Sequence, residues 1–189
     1  MREDGDDACY PTRSWYASSA PRCLHDESDY LMDSIHDRLA SVGLQLPDEP
    51  LTPGGSYVPF VWSGNQLLIA GQICRVGEEV QFTGVVGEDV TVEEGQAAAR
   101  LCALNSLAVA GAACGGDYSR LRLLSLSGYI RCVPDFGQQA KVMDGASEVF
   151  IQALGDNGKH VRTAVGVYAL PRQAPVEIST IFEVVNNND

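Results

Sequence analysis

The chain has 189 residues, enough for one domain with a sizeable core, and carries 25 acidic against 13 basic side chains. A net charge of −12 argues against a nucleic-acid partner held by a broad basic surface, while leaving room for a small local anion site. No run approaches the roughly 18 apolar residues that a membrane span needs, and MREDGDDACY lacks the basic and apolar regions of a signal peptide, so a soluble cytoplasmic protein is the expectation.

Residues 1–32 mix Asp, Ser, Pro and isolated aromatics without a period and read as a disordered acidic extension before a domain over 33–185. Residues 186–189 read as a polar tail. In SIHDRLASV, Ile35, Leu39 and Val42 stand at i, i+4 and i+7, which predicts a short amphipathic helix over Ser34 to Val42 that stops at Gly43. The proline-rich LQLPDEPLTPGG is a connector. Tyr57 to Trp62 and Gln66 to Cys74 read as a hairpin turned by Ser63-Gly64-Asn65. Gly71, inside the apolar run LLIAGQI, marks either a bulge or the close approach of another group to the backbone.

Phe82 to Gly87 reads as a further strand, followed by a capping box at Thr91-Val92-Glu93-Glu94 that opens a long helix to about Ala113. Gly115-Gly116 stops that helix. A strand is expected over Leu121 to Cys132, a second helix over Gln139 to Leu154, and a terminal hairpin over Val161 to Val184. This order predicts one mixed sheet with both helices on one face. Its bare second face is most economically covered by self-association into a closed ring.

Folding the terminal hairpin about Arg172 and Gln173 sets Val165 against Thr180, Val167 against Ile178 and Thr163 against Phe182 on an apolar face. The other face then carries Arg162, Ala164, Gly166 and Tyr168 with Glu177, Ser179, Ile181 and Glu183. An arginine among carboxylates on an apolar ribbon suits a small carboxylate ligand, which guanidinium binds bidentately; solvated or cross-strand-paired charges fit the same pattern. Glu177 falls six residues from the position opposite Arg162, roughly 20 Å at about 3.3 Å per residue, so a neighbouring subunit, twist or a bulge must bring the two together. Six cysteines show no C-x-x-C pair, and His25, His36 and His160 are scattered, so no spacing points to a metal centre.

GSYVPFVWSGNQLLIAGQI, TVEEGQAAARLCALN and VRTAVGVYALP with VEISTIFEV together resemble the YjgF/RidA family, the reactive intermediate deaminases once called L-PSP endoribonucleases. The likeness runs from about Ser34 to Val185 and is nearest a branch with a short N-terminal helix and the VMDGASEVF segment. It implies a chorismate-mutase-like α+β fold and a homotrimer with sites between subunits. The implied reaction is hydrolysis of 2-imino acids or enamines to 2-oxo acids and ammonia, with no cofactor. Arg162 would hold the substrate carboxylate and Glu177 the attacking water, with Tyr57, Gly71 and Ala164 lining the pocket. Two positions depart from the family pattern: Ala70 stands where many members have serine, and Ala164 where many have cysteine. A non-catalytic carboxylate-binding module using the same cleft is the alternative. Ribonuclease activity is disfavoured by the acidic composition.

Overall fold

The computed structural model describes residues 34–185; the expected extension over 1–32 and tail over 186–189 lie outside the described residues, as do Cys9, Cys23 and His25. A six-residue helix, α1 (Ile35–Ala40), opens the described region. Ser34 accepts from the Asp37 amide and the Asp37 carboxylate returns to the Ser34 amide, a complete capping box. The helix ends earlier than its sequence pattern suggests, leaving Val42 half exposed. Leu39 is fully buried, and Gln152 donates to the Arg38 carbonyl, so α1 is anchored on the second long helix.

The sheet has five strands in the order β1 (Phe60–Ser63), β2 (Gln66–Ile73), β7 (Val176–Val184), β5 (Leu121–Arg131) and β6 (Val161–Val167). A small separate hairpin, β3 (Arg75–Val76) with β4 (Glu79–Val80), follows β2. Two helices, α2 (Val92–Ala113) and α3 (Gln139–Leu154), lie on one face. β7 alternates strictly: Val176, Ile178, Thr180, Phe182 and Val184 are buried beneath the helices, while the residues between them face the other way. Cys102 and Ser106 of α2 reach the Val176 carbonyl and the Thr180 hydroxyl, and Phe150 of α3 meets Phe182 edge to face at 6.0 Å. The expected mixed sheet with both helices on one side is therefore present. No described helix is long and apolar enough to cross a membrane.

Three expectations need correction. Phe82 to Gly87 forms no strand; Val86 makes only isolated bridges to Val90 and Cys132. Tyr57 lies outside β1, in the loop before it, with its ring half exposed. The terminal hairpin does not exist: β5 lies between β6 and β7, parallel to the first and antiparallel to the second. Each strand has the predicted alternation, but alternation identifies faces and not neighbours. The β5–α3–β6 crossover places β6 parallel beside β5, and residues 168–175 carry the chain back over β5 to reach β7.

This topology reverses β6. Arg162, Ala164 and Gly166 align with Leu126, Gly128 and Ile130, on the helix side of the sheet, whereas Val161, Thr163 and Val165 share the open face with Ser127 and Tyr129. Arg162 and Glu177 are thus on opposite faces, not on one.

The helices approach closely at Gly145, where an added Cβ would sit 2.3 Å from the Gln96 carbonyl oxygen of α2. Backbone cannot swing aside as a side-chain tip can. Gly145→Ala is expected to lower unfolding free energy by about 1–3 kcal/mol, read from urea titration of the two proteins. An unchanged midpoint contradicts the close approach.

Candidate functional site

The site grows from an irregularity in β2. Its pairing with β7 slips between Ile69 and Gln72, so Ala70 and Gly71 form a bulge. The Ala70 amide donates outward to the Pro59 carbonyl, and its own carbonyl takes the Gln72 side-chain amide. Glu177, paired in register with both Ile73 and Tyr129, lays its carboxylate over the bulge. A Cβ on Gly71 would stand 2.0 Å from Glu177 Oε1. The two readings of Gly71, bulge and close approach, are both correct, and the approaching group is the expected catalytic glutamate.

Tyr57, Gly71 and Glu177 line one cavity of about 320 Å³, together with Thr52, Arg75 and Arg172. That volume is at the lower end for small-ligand sites. Among the described residues the Glu177 carboxylate has neither a hydrogen-bond nor an ion-pair partner. Half-burial without compensation pushes its carboxyl pKa up, because the charged form loses more hydration than the neutral one.

The sign of the consequence follows from proton counting. Between the ordinary glutamate value and the raised one the folded chain binds more proton than the unfolded chain, so stability falls as pH rises through that window. The cost is complete above the raised value. Glu177→Gln is therefore expected to be more stable than the parent near neutral pH, with the gain vanishing below the ordinary value of 4.5, as urea midpoints at the two pH values will show. A gain that is equal at both contradicts the burial argument.

Arg162 is positioned separately. On the helix side of edge strand β6 its Nη1 donates to Asp144 Oδ1 at 2.9 Å and to Ser147 Oγ at 3.0 Å, and its Nη2 to the Ala140 carbonyl at 3.2 Å. Ala140, Asp144 and Ser147 recur every three or four residues along one stripe of α3. Behind Ser147 stands His160, whose pKa burial pushes down, which favours the neutral ring. Its Nδ1 lies 2.6 Å from the Gly158 carbonyl, which can only accept; Nδ1 therefore carries the proton and Nε2 takes the Ser147 hydroxyl at 3.1 Å. Ser147 Oγ is then free to accept from Arg162. The guanidinium is held in place, with 22% of its side chain exposed. Ala164, two residues on, packs against the core in register with Gly128.

Within one chain the structure thus gathers Tyr57, Gly71 and Glu177 and leaves Arg162 and Ala164 two strands away on the other face. Sequence reasoning missed Asp144, Ser147 and His160, although the i, i+3 spacing of the first two inside a predicted helix was available. It also missed Arg75 and Arg172, for which no local pattern exists. No group of three or more His, Cys, Asp or Glu among the described residues is placed to hold a metal ion. Cys74 and Cys102 are wholly buried and pack as small apolar side chains.

A sheet with two helices on one side and a bulged strand beneath a half-buried carboxylate belongs to the chorismate-mutase-like class, and known proteins agree. Residues 36–181 match the family described as "YjgF/chorismate mutase-like, putative endoribonuclease", and the chain belongs to that YjgF/RidA family. Protein TCP17 of Trypanosoma cruzi is 39% identical over 150 residues, 78% of this chain and 92% of its own. Atu1372 of Agrobacterium tumefaciens, a protein of unknown function, is 42% identical with a TM-score of 0.75, covering 80% of this chain and 92% of that one. RidA from the Antarctic bacterium Psychrobacter sp. is 26% identical with a TM-score of 0.52, over 73% and 96%.

Proposed function

We propose that the protein hydrolyses reactive 2-imino acids, or their enamine tautomers, to 2-oxo acids and ammonia, in a homotrimer whose sites pair Glu177 of one subunit with Arg162 of the next. The observation that carries this reading is the Glu177 carboxylate, half-buried, unpartnered and lying over Gly71. Arg162 binds the substrate carboxylate and orients the protonated imine. Glu177 takes a proton from water as the water oxygen bonds to C2, and the C=N electrons move to nitrogen, giving a carbinolamine. The same carboxyl then returns that proton to the amine; as the C–N bond breaks and ammonia leaves, the Glu177 carboxylate takes the hydroxyl proton and C2 becomes a carbonyl. A carboxyl with a raised pKa suits both halves of this exchange.

Self-association is supported by what the single chain leaves bare. Val161 and Val165 on edge strand β6 are 71% and 41% exposed, and Tyr168 just beyond it is 99% exposed. Light scattering is expected to give three times the chain mass.

The direct test generates 2-aminoacrylate from serine with a dehydratase and follows its decay. Acceleration that requires Glu177 supports the reading; an unaccelerated rate at high protein concentration refutes it. A second reading, a non-catalytic binder of small carboxylates, draws on the Asp144 ion pair, which already occupies one face of the Arg162 guanidinium. It predicts saturable, Arg162-dependent binding of 2-oxobutyrate without turnover.

A further inference from the structure

The Glu177 cavity is also lined by two cations that the proposed reaction does not use. Arg172 and Arg75 both line it, on the side formed by the loop after β6 and by the β3–β4 hairpin. Both guanidinium groups converge on one acid, Glu78. Arg75 Nη1 donates to Glu78 Oε1 at 3.3 Å and to the Gly77 carbonyl at 3.0 Å, while its Nη2 donates to the Thr52 carbonyl. Arg172 Nη1 donates to the Glu78 carbonyl oxygen at 2.8 Å, and Nη2 to Glu78 Oε2 at 3.1 Å. Two cations against one carboxylate leave this group positive by one charge, and Glu177 lines the same cavity.

The two arginines differ in what they can offer. Arg75 is almost wholly buried, its side chain about 10% exposed, and is spent on carbonyls and Glu78. Arg172 is 45% exposed, so donors on its open side are within reach of a ligand. Its backbone is unusual. Arg172 and Gln173 both adopt left-handed conformations, φ 53° and 61°, which non-glycine residues rarely do. Neighbouring hydrogen bonds hold the turn: the Gln173 carbonyl takes the Gly84 amide, and the Ala174 amide donates to the Pro171 carbonyl. The strained turn points a cation at the cavity where an ordinary turn residue would suffice to link two strands.

We propose that Arg172, backed by Arg75, is a specificity-determining residue that takes a second acidic group, so that the preferred substrates are 2-imino acids bearing a terminal carboxylate. This rests on the deaminase reading, in which the neighbouring subunit's Arg162 holds the first carboxylate. With C2 beside Glu177, the side chain of the substrate extends along the cavity toward Arg172, and a methyl or ethyl group leaves that end unmet. A terminal carboxylate meets a guanidinium already desolvated on one side, where a charge-assisted hydrogen bond is worth most.

The test compares two stable product-like acids, 2-oxobutyrate and 2-oxoglutarate, by titration calorimetry on the whole protein. The parent is expected to bind 2-oxoglutarate about tenfold or more tightly than 2-oxobutyrate. Arg172→Ala is expected to bring that ratio to about one and Arg172→Lys to retain part of it, while Glu78→Gln, which frees Arg172, raises it. Equal affinity in the parent overturns the proposal, as does an Arg172→Ala protein in which both ligands weaken together and the ratio stands, the sign of a merely structural clamp. If 2-oxobutyrate binds in an Arg162-dependent way and 2-oxoglutarate no better, the specificity proposal falls and the deaminase reading survives. If neither acid binds, both fall.

Discussion

Arg162→Ala is expected to abolish accelerated imine hydrolysis while the chain still folds. In the proposed site the guanidinium makes the only bidentate contact with the substrate carboxylate, and charge-assisted hydrogen bonds contribute about 1.5–3 kcal/mol each. Losing two of them corresponds to a fall in kcat/KM of roughly 10²–10⁴. The fold is expected to persist because the residue that loses its partner, Asp144, is half exposed and regains water, and Ser147 keeps its bond to His160. Asp144→Ala serves as the contrast. It leaves the cation in place but releases one of its tethers on α3, so KM is expected to rise about tenfold with kcat less affected, the mark of a positioning residue. Steady-state kinetics on the three proteins, with a thermal melt of each, decides the matter. An Arg162→Ala protein with parental kcat/KM refutes the role of the guanidinium, and an Asp144→Ala protein identical to the parent refutes the tether.

How far the sequence foretells this molecule depends on whether the governing interaction is local. The capping box at Thr91, the α2 stop at Gly115-Gly116 and the bounds of α3 were all legible, since each is decided within a few residues. Gly71 was legible as a place where something approaches; what approaches it, Glu177, comes from 106 positions along the chain and could be named only through the family resemblance. The partners of β6 and β7 were not legible. Val161 to Val167 and Val176 to Val184 alternate equally well as a hairpin or as strands separated by a third, and the choice is made by the β5–α3–β6 crossover. That error put Arg162 on the wrong face, and with it hid Asp144, Ser147 and His160, which are visible only once Arg162 is known to point at α3. Arg172 was taken for a turn residue because a left-handed arginine has no sequence mark.

Gly71→Ala is expected to remove activity without removing stability, and it separates the carboxylate's position from its chemistry. Gly71 has no positive φ, so alanine meets no backbone strain there. What the new methyl meets is the tip of a flexible side chain, Glu177 Oε1, which can rotate toward solvent at little cost. The displaced carboxylate regains hydration, and its pKa returns toward the ordinary glutamate value; by the proton-counting argument this stabilises the fold near neutral pH, and alanine adds to it by restricting the unfolded chain. The water it holds, however, moves away from C2. A displacement of about 1 Å in a positioned group can cost about 10²-fold in rate. The expectation is therefore a kcat lowered about a hundredfold, a KM close to the parent's because Arg162 is untouched, a urea midpoint equal to or above the parent's, and an acid limb of the pH–rate profile shifted to lower pH. Glu177→Gln shares the loss of kcat and the gain in stability but has no acid limb to shift. A Gly71→Ala protein that keeps full kcat would mean that the carboxylate over the bulge is not the group that handles the water.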